Sequence, residues 1–330
     1  MHSTGTSITQ FSAALLIVAS MLFTPCAAAQ TRFPSREVHI ILGFSAGGTT
    51  DIIARIIGHE LEGKWGQSVI IEARPGAGGN IAGLAVVKAP ADGYTLFMGS
   101  VGPLAINASL YKSMPFDHLK DFAPVSLVAH VPNMLVVNPS MMPATTFQEF
   151  LTEVKKNPDK YFHASTGKGT MAHLSAELLK KQAGLKMTHV PYKGADAVTD
   201  LLASNVCCMF ATIPSVIQHV RQGTLRALAV TSRNRSAAAP DVPTIAESGI
   251  ADFDASSWFA IVGPAGLSTE IAEKVSADIA SVLQIPAIRE KLVVQGADPV
   301  GSTPEALAAH VRSETTKWAA AVKDAGIEAE

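Results

Sequence analysis

Charge is scarce in this chain: Asp, Glu, Lys and Arg make up 16% of its 330 residues, and the formal net charge is −2. Partners that are polyanions select clustered Lys and Arg, so nucleic acid and acidic membrane surfaces are excluded as partners. Cysteine is scarcer still. Three residues, Cys26, Cys207 and Cys208, cannot staple a small secreted scaffold, and no further ligands stand near them at metal-site spacing. Long apolar runs are also missing. The run at 11–23, "FSAALLIVASMLF", is too short to span a bilayer comfortably, and no later stretch could anchor the chain. What is abundant is hydrophobic residues, 48% of the total, which excludes a disordered chain and supplies core enough for two domains.

The small residues of "CAAAQ" after the apolar run suit signal peptidase, so residues 1–29 are expected to be a secretory signal peptide. The ten residues before the run lack the usual Lys or Arg. A lipoprotein anchor on Cys26 fits less well, because Pro25 and Phe23 stand where a small residue and Leu are normal. Once Cys26 is removed with the signal, the adjacent Cys207 and Cys208 could form only a strained vicinal bridge. Within "VCCMFA" they read as two small hydrophobes of a strand.

Strands and helices alternate from residue 37 onward. "EVHIILGF", "SVIIEARPG" and "YTLFMGS" read as strands, separated by helices in "TTDIIARIIGHELEGKWG" and "IAGLAVVKAPADG". That is a βαβαβ unit and predicts a parallel sheet covered by helices. A second series follows: strands in "NMLVVNP", "YFHASTGKGT", "MTHVPYKG", "NVCCMFATI" and "LRALAVTS", with helices in "TFQEFLTEVKKNP", "MAHLSAELLKKQAG" and "PSVIQHVRQG". A returning strand, "WFAIVGPAG", precedes C-terminal helices. The expected architecture is two α/β lobes, one formed by 30–130 and 255–330 and the other by 131–254. Ligands of such folds sit beyond the C-terminal ends of the strands.

The turn after the first strand supports two chemistries. Gly43-Phe44-Ser45-Ala46-Gly47 spells G-x-S-x-G, the elbow that presents a nucleophilic serine between strand and helix. A secreted serine hydrolase using Ser45 is therefore one reading. An elbow also needs an oxyanion donor from an earlier strand-to-helix loop, and Ser45 lies after the first strand. The other reading is an anion cradle: Ala46, Gly47, Gly48, Thr49 and Thr50 are small enough to bring a carboxylate onto unpaired N–H groups at a helix start.

A second turn of this kind, Ser165-Thr166-Gly167-Lys168-Gly169-Thr170, also joins a strand to a helix, in the other lobe. It is not a P-loop, because Gly169 follows Lys168 where Ser or Thr is required. "RPGAGGN" at 74–80 lacks the dinucleotide-binding order and reads as a tight connection. No cofactor, metal or catalytic constellation emerges. Two cradles on opposite lobes suggest a clamp on a small anionic solute. His173 reads as a helix-face residue, and Trp258 as either core or cleft-wall aromatic.

Residues from about Phe33 to the C-terminus resemble the Bug-type (TctC-like) solute receptors of tripartite tricarboxylate transporters. The resemblance rests on "SAGGTTDIIAR", "GQSVIIEARPGAGGNIAG", "PADGYTL", "LKDFAPVSLVA", "STGKGTMAHLSAELL", "VPYKG", "LRALAVTS", "PDVPTIAESG" and "WFAIVGPAG". It implies a type II periplasmic-binding fold, two lobes closing over a ligand, and a monomer in the periplasm that hands a small carboxylate to membrane transporter subunits. Carried over by position, it implies ligand contacts at Phe44, Ala46, Gly47, Gly48, Thr49, Asp51 and Ser100. In the second lobe it nominates Ser165, Gly167, Gly169, Thr170, Ala195, Asp196 and Thr212. The sequence departs from the family pattern at Ser45-Ala46, where proline is frequent, at Ala195-Asp196, which puts a carboxylate near the cleft, and at the two cysteines.

Overall fold

The structure, a computed structural model, describes residues 1–2 and 33–324; beyond its first two residues, the expected signal segment lies outside the described residues. The chain divides into two units, Met1–Ser35 and Arg36–Glu330. The first holds the cis Phe33–Pro34 peptide bond. The second carries all that follows.

The β-branched run of β1 (Val38–Leu42) is almost wholly buried. It leads through the glycine-rich turn into α1 (Thr49–Trp65), whose Ile53, Ile56, Ile57 and Leu61 recur at helical spacing on the buried face. Gly66, left-handed at φ 65°, ends this helix by donating its N–H to Glu62 O. β2 (Val69–Ala73), α2 (Asn80–Val87) and β3 (Thr95–Ser100) follow, and β2 and β3 both pair parallel with β1. The expected βαβαβ unit is present. A π-helical turn, Gly102–Ile106, runs into the short α3 (Asn107–Leu110).

β4 (Phe122–Val131) escaped the reading of hydrophobic periodicity, because Pro124 and a mixed burial pattern hide it. From its end the chain passes through Pro132 alone into β5 (Asn133–Val137) of a second sheet. There follow α4 (Phe147–Lys156), β6 (Phe162–Ser165), α5 (Met171–Ala183), β7 (Thr188–Pro191), α6 (Asp196–Leu202), β8 (Cys208–Thr212), α7 (Ile213–Arg221) and β9 (Arg226–Val230). β10 (Ser257–Pro264) returns to the first sheet, followed by α8 (Thr269–Leu283), α9 (Pro286–Val294), β11 (Asp298–Pro299) and α10 (Pro304–Asp324).

The first sheet has the order β11-β4-β10-β3-β1-β2 and the second β7-β6-β8-β5-β9. Both are mixed, where the alternation of strands and helices had predicted parallel pairing. β10 runs antiparallel to β3 and β4, and β5 antiparallel to β8 and β9. The reason is connectivity. A strand that arrives from the other lobe enters at the cleft, whereas β1, β3, β6 and β8 end there.

Alternation along β10 separates two aromatics. Trp258 is buried, donating its indole N–H to Glu314 Oε2 at 2.9 Å, and Trp318 donates to the same oxygen at 2.8 Å. Trp258 is thus a core residue, and its neighbour Phe259 faces the cleft. Cys207 and Cys208 are free and buried, packed into the core as small hydrophobes. Burial alone would raise the Glu314 pKa, but the N–H of Trp318, the Lys317 charge and the N–H of Trp258 outweigh it and hold it below the usual value. Replacing Glu314 by Ala strands two buried indole donors. The expected loss is about 3 kcal/mol of unfolding free energy, read from urea denaturation followed by tryptophan fluorescence.

Candidate functional site

Five strand ends become helix starts around one place. β1 leads to α1, β3 to the π-helical turn, β6 to α5, β7 to α6 and β8 to α7. A cavity of ≈ 60 Å³ lies between them, lined from the first lobe by Phe44, Gly48, Thr49, Thr50, Ser100, Val101, Ser257 and Phe259. The second lobe adds Asn133, Thr166, Thr170, Met171, Ala172, Gly194, Ala195, Val198, Met209, Phe210, Thr212 and Ser215. Among the described residues, no Asp, Glu, Lys, Arg or His lines it.

The first cradle is held from behind. Asp51 Oδ2 accepts the Gly47 N–H at 3.0 Å, and Oδ1 meets Arg55 Nε at 2.8 Å. This carboxylate shapes the turn and is not part of the lining. The N-cap of α1 is Gly48, which offers no side-chain cap, so the first-turn N–H groups must find acceptors outside the helix. Gly48, Thr49 and Thr50 line the cavity, so this helix start borders it and its dipole favours an anion there.

The second cradle rests on a buried histidine stack. Ser165 is fully buried; its hydroxyl bonds His189 Nε2 at 2.6 Å and Gly167 O at 3.1 Å, and accepts the Gly167 N–H at 3.2 Å. Thr170 donates to Gly167 O at 2.7 Å and caps α5 through His173 N at 3.5 Å. The Gly169 N–H points at His173 Nδ1, 3.4 Å away, which leaves the His173 proton on Nε2, toward Glu177. The rings of His163, His189 and His173 are stacked, with centroids 5.0 and 4.2 Å apart and planes 18° from parallel. Desolvation, followed for His189 by the neighbouring imidazoles, pushes His173 down to about 4 and His189 to about 3; burial lowers His163 as well. Burial opposes the charge on Glu177, but His163 and Lys180, the latter 2.8 Å away, bring its pKa to about 2.

The lobes meet in a closed arrangement. Ser45 Oγ donates to Lys193 O, and the hydroxyls of Thr49 and Thr212 bond each other across the cleft. Glycines allow close approach: a Cβ on Gly194, where φ is +92°, would lie 2.9 Å from the backbone at Ser45 N, and one on Gly169 would lie 2.1 Å from the side-chain Oδ1 of Asn107.

Of the fourteen residues nominated by resemblance, Phe44, Gly48, Thr49, Ser100, Thr170, Ala195 and Thr212 line the cavity. Ser165 and Gly169 sit behind it in the second cradle and Asp51 behind the first, whereas Ala46 and Gly47 are exposed on the first turn. Gly167 lines a separate groove at the cleft mouth with Gly78, Lys168 and Lys193. Asp196 is exposed on the first turn of α6, so the departure at Ala195-Asp196 brings no charge into the cavity. His173 packs on its helix face, as expected, beneath the turn. Sequence reading missed Asn133, Met171, Phe210, Ser215, Ser257 and Phe259. Asn133 and Ser257 stand at the crossovers between lobes, which no local pattern marks, though Ser215 after Thr212 in "TIPS" carried a helix-start signal.

Two lobes, each a mixed sheet, closed on a small cavity ringed by helix N-termini define a solute-binding protein. The family model of the tripartite tricarboxylate transporter family receptor matches residues 53–327, and the chain belongs to that family. It is 38% identical over 296 residues to Protein BugT of Bordetella pertussis, covering 89% of this chain and 90% of that one. Among solved structures it is similar to Rpa4515 of R. palustris, determined with adipate (TM-score 0.88, 36% identity, 90% and 100% of the two chains). It is also similar to MatC (Rpa3494) from Rhodopseudomonas palustris, determined with bound malate (TM-score 0.83, 31% identity, 88% and 100%), and to the periplasmic binding protein BugD (TM-score 0.87, 32% identity, 90% and 100%).

Two outcomes follow from this geometry. The three imidazoles are held neutral, so the unfolded chain, with ordinary histidine pKa near 6.5, takes up protons first as pH falls. Stability is therefore unaffected by them above about pH 7 and drops as pH falls from about 6.5, by about 1.4 kcal/mol per pH unit for His173 down to about 4 and for His189 down to about 3, with His163 acting in the same direction. Glu177 adds a separate loss below about pH 4.5. Urea midpoints between pH 7.5 and 4.5 measure the slope, and His173→Gln should flatten it. Gly194→Ala should weaken solute binding by about tenfold, since one strained contact of roughly 1.4 kcal/mol opposes closure, and because a φ of +92° strains any residue with a Cβ in the folded chain, the urea midpoint should fall as well, by the equivalent of about 1–3 kcal/mol; calorimetry and urea denaturation of both proteins check this.

Proposed function

We propose that the protein is a non-catalytic periplasmic receptor for a small carboxylate-bearing solute, which it encloses between its lobes and delivers to a tripartite tricarboxylate-type transporter. The observation that carries this reading is the cavity itself: helix N-termini and hydroxyls converge on it, and no charged side chain among the described residues enters it. Such a lining binds an anion through preorganised N–H and O–H groups. A badly matched solute leaves each of these unpaired at about 1–3 kcal/mol.

In this reading residues 1–29 are a cleaved export signal, and the receptor works as a monomer. The lobes 30–130 with 255–330 and 131–254 move against each other about the crossovers at Pro132 and before β10. The relatives solved with adipate and malate support a carboxylate. The serine-hydrolase alternative gains no support, because the Ser45 hydroxyl is engaged by Lys193 O and no histidine is among its described hydrogen-bond partners.

Thermal unfolding of the protein, refolded to strip any carried-over solute, against mono-, di- and tricarboxylates, amino acids and aromatic acids tests the reading. A cognate solute at 100 times its dissociation constant adds ~2.7 kcal/mol and raises the midpoint by several degrees. Ser45→Ala should keep most of that affinity, and wild type should hydrolyse no ester. Ester turnover abolished by Ser45→Ala, with no thermal shift from any solute, would overturn the proposal.

A further inference from the structure

The second-lobe turn Gly167-Lys168-Gly169 is seated in a socket of the first lobe. A Cβ on Gly78 would lie 2.7 Å from Lys168 O, and one on Gly102, at the start of the π-helical turn, 3.2 Å from Gly169 O. The third wall is Asn107, the first residue of α3, which is 0% exposed. Its amide nitrogen donates to Asn80 Oδ1 at 2.7 Å and to Gly78 O at 3.3 Å, and both partners belong to the first lobe. Two acceptors on the nitrogen fix which way the amide faces. The amide oxygen therefore occupies the place where Gly169 would carry a side chain, 2.1 Å from a Cβ built there. It is buried and has no hydrogen-bond partner among the described residues.

The two ends of this amide do different things. The bonds of the nitrogen lie within one lobe and are the same whether the cleft is open or closed, so they bear on the stability of that lobe. The oxygen is covered from across the seam, by Gly169. When the lobes part, that cover leaves and water bonds the oxygen. When they close, the water is stripped away and only a glycine Cα–H takes its place, a much weaker donor. Two hydroxyl bonds, Ser45 Oγ to Lys193 O and Thr49 to Thr212, form across the same seam, but each replaces bonds to water and gains little. A buried acceptor without a partner opposes closure by an amount of the same order.

Resting on the receptor reading, we infer that Asn107 holds the receptor open until a solute arrives: its amide nitrogen builds the socket, and its amide oxygen opposes closing on it. The solute supplies the drive that the seam withholds, by joining groups of both lobes. Asn107 is not part of the cavity lining and acts through Gly169. The seated turn is also the second cradle, with Thr166 and Thr170 lining the cavity, so leaving the socket and losing the cradle's alignment with the first lobe are one event.

The test compares wild type with Asn107→Ala and with Asn107→Leu, which keeps the shape of the side chain without its oxygen. Each is measured by urea denaturation, by calorimetry with whichever solute raises the wild-type unfolding midpoint, and by small-angle X-ray scattering with and without that solute. Both variants lose two hydrogen bonds of the first lobe, so their urea midpoints should fall. Their solute affinity should nevertheless rise by about fivefold or more, and their solute-free scattering should move toward the compact, solute-bound curve. A merely structural residue would not give that opposition of sign. Weaker or unchanged solute binding in either variant that folds overturns the inference and leaves the receptor intact. So does a wild type whose solute-free scattering already matches the solute-bound form, a measurement that decides even if neither variant folds. If no solute raises the wild-type midpoint, the receptor reading falls and this inference falls with it.

Discussion

A helix that starts where a strand ends leaves its first backbone N–H groups without partners, and the chain must either cap them or face them toward something that can accept. This protein collects five such starts around one small space. The α1 start is capped by a glycine with no side chain to offer, and α7 begins at Thr212, whose side chain makes no cap bond. The space between them is consequently a site for an anion even though no cationic side chain among the described residues reaches it. A charge held this way needs no Lys or Arg, which agrees with a sequence so sparing of both.

Everything behind the lining keeps those groups in place. Asp51 holds the first turn through Gly47 and is itself held by Arg55. Ser165, Thr170 and His173 hold the second turn, with His189 and His163 stacked beneath. Three neutral imidazoles packed face to face make a stiff polar foundation that carries no field of its own at neutral pH. Ionised, they would place positive charge directly under the cradle and against one another. Glycine serves the opposite need, letting two backbones meet across the cleft at Gly194 and Ser45 where any Cβ would intrude.

The two crossovers explain the departures from a simple alternating fold. β5 and β10 enter their sheets from the cleft, so they run against their neighbours, and they carry Asn133 and Ser257 into the floor of the cavity. Asn133 opens the first of these strands and its side chain accepts the hydroxyl of Ser257, which opens the second, so one hydrogen bond ties the two crossovers together at the cavity wall.

The sequence by itself determined the layout of strands and helices, the two glycine-rich turns, and, through its match to a family pattern, the two-lobed class. These are local or repeated signals: hydrophobic period, cap residues, and small residues at a turn. Half of the residues nominated for the ligand do line the cavity, namely those at helix starts such as Gly48, Thr49, Thr170 and Thr212, whose role is set by neighbours one to four positions away. Tertiary structure alone decided the rest. It turned Asp51 and Ser165 inward as supports, faced Asp196 outward, chose Phe259 over Trp258 for the cleft, and revealed Asn133 and Ser257 as neighbours although 124 positions separate them. Those outcomes depend on which strand enters a sheet from which end, and no window along the chain contains that information.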